Sequence, residues 1–184
     1  MDLTLTADQE SLQGELRRVL ADRCTSERRR AVIGLPGAVD RDLWEQLAGL
    51  GVFALCLPET DGGVGLGLAD AAVVFEELGR AAVPGPLVAT FLAAGLVEGA
   101  ADGSAVVGMV ERGAPRAVEH LDALDALVVV GEALGVVTDL PMAPAAARPL
   151  DPLTPVTFLS AGLSGESPRA GNVRSGNTVL SGAE

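Results

Sequence analysis

The chain has 184 residues, enough for one ordinary domain or for two small modules whose cores would be marginal alone. Its 25 acidic and 13 basic residues give a formal charge of −12, and every basic residue is arginine. That balance excludes a nucleic-acid partner, whose binding rests on a cationic face, and describes a solvated acidic surface. The start, "MDLTLTADQE", lacks a signal-peptide layout, and no apolar run reaches the ~18 residues needed to span a bilayer, so the expectation is a cytoplasmic protein without a membrane partner. Cys24 and Cys56 lie far apart with no CxxC and no clustered histidine, which reads as two reduced core thiols, with no zinc site and no disulfide.

The N-terminal half carries helical spacing. Thr6 and Gln9 make a capping box ahead of a helix over 7–22, with Leu12, Leu16, Val19 and Leu20 on one stripe. "TSERRRAVIGLPG" reads as a connection. Asp40 is the next N-cap, with Leu43, Trp44, Leu47, Ala48 and Leu50 turned inward and Gly49 or Gly51 at the stop. "VFALCLP" is short and apolar and must be buried. Gly62, Gly63, Gly65 and Gly67 then precede a helix over 68–80, with Ala71, Ala72, Phe75 and Leu78 inward and Glu76, Glu77 and Arg80 outward on a solvated face. Pro84 and Pro86 break the chain, and Pro86 opens a helix through "LVATFLAAGLVEGA".

Beyond "EGAADGS" the pattern becomes β-branched and short: 105–110, 126–131, 134–138 and 156–161 read as strands. Helices first and strands afterwards give an α+β fold: an N-terminal α-helical domain over 1–102, a small antiparallel β domain over 103–163, and a flexible tail or lead-in to a further domain over 164–184.

These residues form no self-sufficient catalytic constellation. A Walker loop needs a lysine after its last glycine, and the chain has none; a dinucleotide fingerprint needs a βαβ setting and wider glycine spacing. The glycines therefore read as a multi-turn loop. His120, the lone histidine, has no second strong ligand nearby and reads as hydrogen-bonded or exposed, with no metal site. No G-x-S-x-G occurs, and Glu76 and Glu77 point about 100° apart on a helix, which rules out a facing carboxylate pair.

Three motifs carry a family resemblance. Leu43, Trp44, Leu47, Ala48, Leu50 and Gly51 form the first; Pro58, Glu59, Gly62, Gly63 and Gly65 the second; Glu76, Glu77, Leu78, Gly79 and Arg80 the third. In this order they resemble the N-terminal helical domain of acyl-CoA dehydrogenases. The resemblance implies a protein of FAD-dependent acyl-CoA oxidation, in which a glutamate takes the α proton of an acyl-CoA thioester while the flavin accepts the β hydride. Family members follow their first strand with Thr-Glu-Pro-Gly-Ala-Gly-Ser. Here "MVERGAPR" keeps Glu111, Gly113 and Ala114 but has Val110 for the threonine, Arg112 for the proline and Arg116 for the serine. Valine donates nothing, so FAD contacts fall to the backbone of Met109, Val110 and Gly113. The flavin-packing tryptophan motif is missing, since Trp44 is the only tryptophan.

The family's catalytic glutamate lies in a C-terminal helical domain beyond the part resembled, so no catalytic residue is assigned on this chain. The resemblance implies either a subunit of a split dehydrogenase, homo- or hetero-oligomeric, with FAD shared with or supplied by a dehydrogenase-like partner, or the leading part of a longer enzyme. The alternative is a non-catalytic acyl-binding or interaction subunit that does not hold FAD.

Overall fold

A computed structural model describes residues 4–113, 116–142 and 150–159; the expected tail over 164–184 lies outside them. Five α-helices come first: α1 (Ala7–Arg23), α2 (Ser26–Val32), α3 (Arg41–Gly49), α4 (Leu68–Arg80) and α5 (Leu87–Ala93). Five strands follow: β1 (Val107–Glu111), β2 (Arg116–Glu119), β3 (Ala126–Val130), β4 (Gly135–Val137) and β5 (Val156–Leu159).

The helix starts follow their caps. Thr6 Oγ1 accepts from the Gln9 amide at 3.2 Å while Gln9 Oε1 accepts from the Thr6 amide at 3.1 Å. Asp40 caps α3 through the Leu43 amide at 3.2 Å and also pairs with Arg28, which holds its carboxyl below the ordinary range. The expected connection over 25–37 contains a helix instead. Thr25 Oγ1 accepts from the Arg28 amide at 3.2 Å, and this cap turns "SERRRAV" into α2.

Two further corrections concern helix length and facing. The helix expected through "LVATFLAAGLVEGA" stops at Ala93, because Gly95 and then Gly99, at φ +82°, favour turns. Ala72 and Leu50, expected inward, are exposed, whereas Glu77, expected outward, is buried. The helical core forms around Trp44 and Phe53, with ring centroids 4.5 Å apart, joined by Leu16, Leu20, Leu43, Leu47, Val74 and Leu78. The "VFALCLP" run supplies Val52, Phe53, Ala54 and Leu55 to it, all buried, as expected.

The β part is mixed, where a wholly antiparallel one was expected. β1 pairs with β3 in parallel, β3 with β4 antiparallel, and β2 with β5 in a separate antiparallel ribbon. A parallel pair needs a crossover, and β2, a strand the sequence reading missed, lies on that crossover. The sheet thus has two buried faces. Val107 and Val128 pack on Ala93 and Ala100 of the helical side, while Val110, Leu127 and Val129 pack on Val118 and Leu159 of the ribbon. This double burial explains the continuous apolar run "ALVVV" of β3.

Candidate functional site

The glycine loop is settled by counting its amides. The Gly62 amide donates to Glu59 O at 3.1 Å, Gly63 to Pro58 O at 3.0 Å, Val64 to Ala54 O at 3.0 Å, Gly65 to Leu57 O at 2.9 Å and Leu66 to Leu55 O at 2.8 Å. The Gly67 amide donates to Asp70 Oδ2 at 3.0 Å. Six consecutive donors are therefore spent inside the loop, and a phosphate cradle needs such donors turned outward. The loop is a multi-turn brace, as expected. Gly62 and Gly65 adopt φ of +81° and +75°, and a Cβ on Gly63 would lie 2.0 Å from Leu57 O. Asp70 also accepts from Gln9 Nε2 at 2.8 Å, so the loop's exit is tied to the start of α1.

At the strand end where the family holds its flavin, backbone direction decides what remains. The Arg112 amide donates to Val130 O at 2.7 Å, toward β3. Amides alternate along a strand, so Val110 also faces β3 and Met109 faces the opposite edge. The Val110 side chain is buried between the sheet and the ribbon, which leaves Val110 neither a hydroxyl nor an outward amide. Gly113 is exposed at φ +147°, and Met109 is half-buried against the helical side. Arg112 lies across Gly131, whose added Cβ would meet Arg112 Nε at 2.8 Å, and Arg116 is buried in β2. A site stripped of its hydroxyls, with one of three backbone groups directed into the sheet and two arginines beside it, does not fit a complete flavin site.

At Val107 the outer edge of β1 is closed by Thr90, which sequence reasoning missed. Its Oγ1 accepts from the Val107 amide at 2.9 Å and donates to Val107 O at 3.1 Å, with no exposure to solvent. One hydroxyl on α5 therefore satisfies both groups of an edge residue. A threonine within an apolar helix was the available signal.

Two other polar junctions join the parts. His120, at φ +57°, is buried and its Nδ1 lies 2.6 Å from Gly37 O, the hydrogen-bonded one of the two states expected; burial pushes its pKa below the ordinary value. Asp125 accepts from the Val106 amide at 2.8 Å and from both terminal nitrogens of Arg41 at 3.3 Å. Glu77, misassigned to a solvated face, accepts from Arg17 Nη2 at 2.6 Å and Arg17 Nε at 3.0 Å. That guanidinium holds its carboxyl below the usual range against the opposing effect of burial. The helical pattern could not show this, because the partner lies 60 positions away. Among the described residues no group of His, Cys, Asp and Glu could hold a metal ion, and no helix is long and apolar enough to cross a membrane. Two clefts, of about 450 and 210 Å³, flank α1, and neither reaches β1.

A helical layer braced by a glycine loop and docked on a small mixed β part defines an α+β protein of the kind the three motifs imply. Residues 6–102 match the family model described as acyl-CoA dehydrogenase, N-terminal domain, and the chain belongs to the acyl-CoA dehydrogenase family. Over 65 residues it is 49% identical to acyl-CoA dehydrogenase IpdE2 of Mycobacterium tuberculosis, a match covering 35% of this chain and 20% of that protein. The solved "Tcur3481-Tcur3483 steroid ACAD G363A variant" superposes with a TM-score of 0.67 at 26% identity, over 86% of this chain and 56% of that one. The ChsE4-ChsE5 complex from Mycobacterium tuberculosis shares the fold, with a TM-score of 0.65 at 21% identity, over 88% of this chain and 57% of that one. The chain thus spans just over half the length of these solved relatives and matches a smaller share of the curated one.

Proposed function

We propose that this chain works within a heteromeric FAD-dependent acyl-CoA dehydrogenase that forms an α,β double bond in a CoA thioester, with a dehydrogenase-like companion subunit supplying the catalytic glutamate and most flavin contacts. The carrying observation is the contrast between an intact helical part and a β1 end at which Val110 turns both its side chain and its amide inward. The residual flavin contacts assigned here are backbone groups of Met109 and Gly113, with Val110 the weakest of the three. Residues 1–102 form the acyl-facing domain and 103–163 the reduced middle domain in this reading.

The substrate class is a steroid-type acyl-CoA. Support comes from the relative described as a steroid ACAD, and the two-name relatives favour assembly from unlike subunits. The second reading, an acyl-binding or interaction subunit that holds no FAD, is favoured by Arg112 lying across Gly131 at that strand end.

The test is purification of the chain alone and together with a companion dehydrogenase-like subunit, recording flavin absorbance and dye reduction with a steroid acyl-CoA. Colour and activity confined to the pair support the first reading. A colourless, inactive pair removes the dehydrogenase role, and an active chain without companion removes the division of labour. A pair that forms without dye reduction assigns the second reading.

A further inference from the structure

We propose that the cleft between α1 and α4 is a binding site for a small oxyanion of phosphate type, gripped by the guanidiniums of Arg17 and Arg80 above Glu77. The cleft measures about 210 Å³, and its wall brings together Arg17, Arg29, Arg80 and Glu77 beside the apolar Leu20 and Ala81. Three of the chain's 13 basic residues thus line one cleft, two of them paired with its buried carboxylate, on a protein whose net charge is −12.

Donor accounting separates structure from binding. Arg29 is structural: its Nη1 donates to Cys24 O at 2.7 Å and to Ala81 O at 2.9 Å, and its Nη2 to Ser26 Oγ at 3.1 Å. It closes the carbonyl ends of α1 and α4, where a cation complements the helix dipoles. Arg17 spends Nε and Nη2 on Glu77 and leaves Nη1 without a hydrogen bond among the described residues. The Arg80 side chain makes no hydrogen bond among the described residues; it has only ion-pair contacts, at 3.4 Å to Glu77 and 3.6 Å to Glu76. Both side chains are half or more exposed, at 51% and 60%.

With Arg29, three cations stand against Glu77 in the wall and the exposed Glu76 beside Arg80, so one positive charge and the outer faces of two planar forks remain. Guanidinium forks match the oxygen spacing of phosphate and carboxylate. The exposed Glu76–Arg80 contact is of the weak surface kind and yields readily to a better anion. The volume lies below the ~300 Å³ at which sites for whole organic ligands begin, so a single phosphate group is accommodated and a nucleotide is not. That group is either free inorganic phosphate or the terminal phosphate of a larger molecule such as coenzyme A. The proposal is independent of the dehydrogenase reading.

The test is NMR titration of the ¹⁵N-labelled full chain with inorganic phosphate at fixed ionic strength and pH 7, with chloride as the reference, following the arginine Nε–H signals. Saturable shifts of Arg17 and Arg80 in the millimolar range are expected, with Arg18, whose side chain is 76% exposed on the other flank, unmoved. Arg80→Gln weakens binding at least fivefold. Shifts of the same signals by coenzyme A at lower concentration identify an ester phosphate as the source, and shifts by inorganic phosphate alone identify the free ion. Shifts no larger than those with chloride, or an Arg80→Gln protein that titrates like the parent, would overturn the site; should that variant fail to fold, the parent titration decides alone.

Discussion

Replacing Thr90 by valine keeps the shape of a fully buried side chain and deletes the one hydroxyl that satisfies both backbone groups of Val107. Each buried group left without a partner costs about 1–3 kcal/mol, so Thr90→Val, which strands two, should destabilise the fold by about 2–6 kcal/mol. For a chain of this size each kcal/mol lowers the melting temperature by about 2–4 °C, which gives a fall of about 4–24 °C. Thr90→Ser keeps the hydroxyl and loses one methyl, at about 1 kcal/mol. Urea unfolding followed by circular dichroism measures both variants, and hydrogen exchange of the Val107 amide reports the lost bond directly. A Thr90→Val protein within 1 kcal/mol of the parent, or a serine variant as damaged as the valine one, would refute the account of the β1 edge.

Three further outcomes follow from the same structure. Glu77→Gln removes the charge and turns one of the two oxygens that accept from the Arg17 fork into a donor, and should cost about 1–2 kcal/mol at pH 7, the half-exposed partner keeping the figure modest. Because the Glu77 pKa is lowered on folding, its contribution is present above the unfolded value of 4.5 and is lost as pH falls through the folded one. Melting curves between pH 7 and pH 3 should therefore fall less steeply for the glutamine variant than for the parent; parallel curves would contradict the pairing. For His120 the shift is also downward, so the unfolded chain takes up the proton first: stability is full above pH 6.5 and declines as pH drops from there toward the folded pKa. His120→Asn, which tolerates the left-handed backbone and can donate to Gly37 O, should flatten that decline, measurable by urea titrations at pH 7.5 and 5.5. In the glycine loop, Gly63→Ala places a Cβ 2.0 Å from Leu57 O and should cost about 1–3 kcal/mol or more, whereas Gly67→Ala, with its nearest neighbour at 3.5 Å, should be close to neutral. Equal melting temperatures for the two variants would show that the loop does not brace as described.

Much of this architecture was legible from local rules. Thr6, Gln9 and Asp40 cap the helices they were expected to cap, since a cap bond spans only three residues. The apolar stripe of Leu43, Trp44 and Leu47 identified a buried face for the same reason of short-range periodicity. The glycine loop was recognised as a turn because the chemistry of a phosphate loop was missing from the residues themselves. At the β1 end, the residue types alone showed Val110 where the resembled family carries a threonine.

What the sequence determined unaided was therefore composition, caps, helical faces, the order of α before β and the family, all of which rest on residues near one another along the chain. The tertiary structure decided the rest, because each remaining feature joins distant positions. The parallel pairing of β1 with β3 depends on a crossover, not on strand propensity. Burial of Glu77 depends on Arg17 of another helix, and closure of the β1 edge depends on a threonine 17 residues before the strand residue it satisfies. A pattern read along one segment specifies which face is apolar, but only packing specifies which distant group a buried polar atom meets.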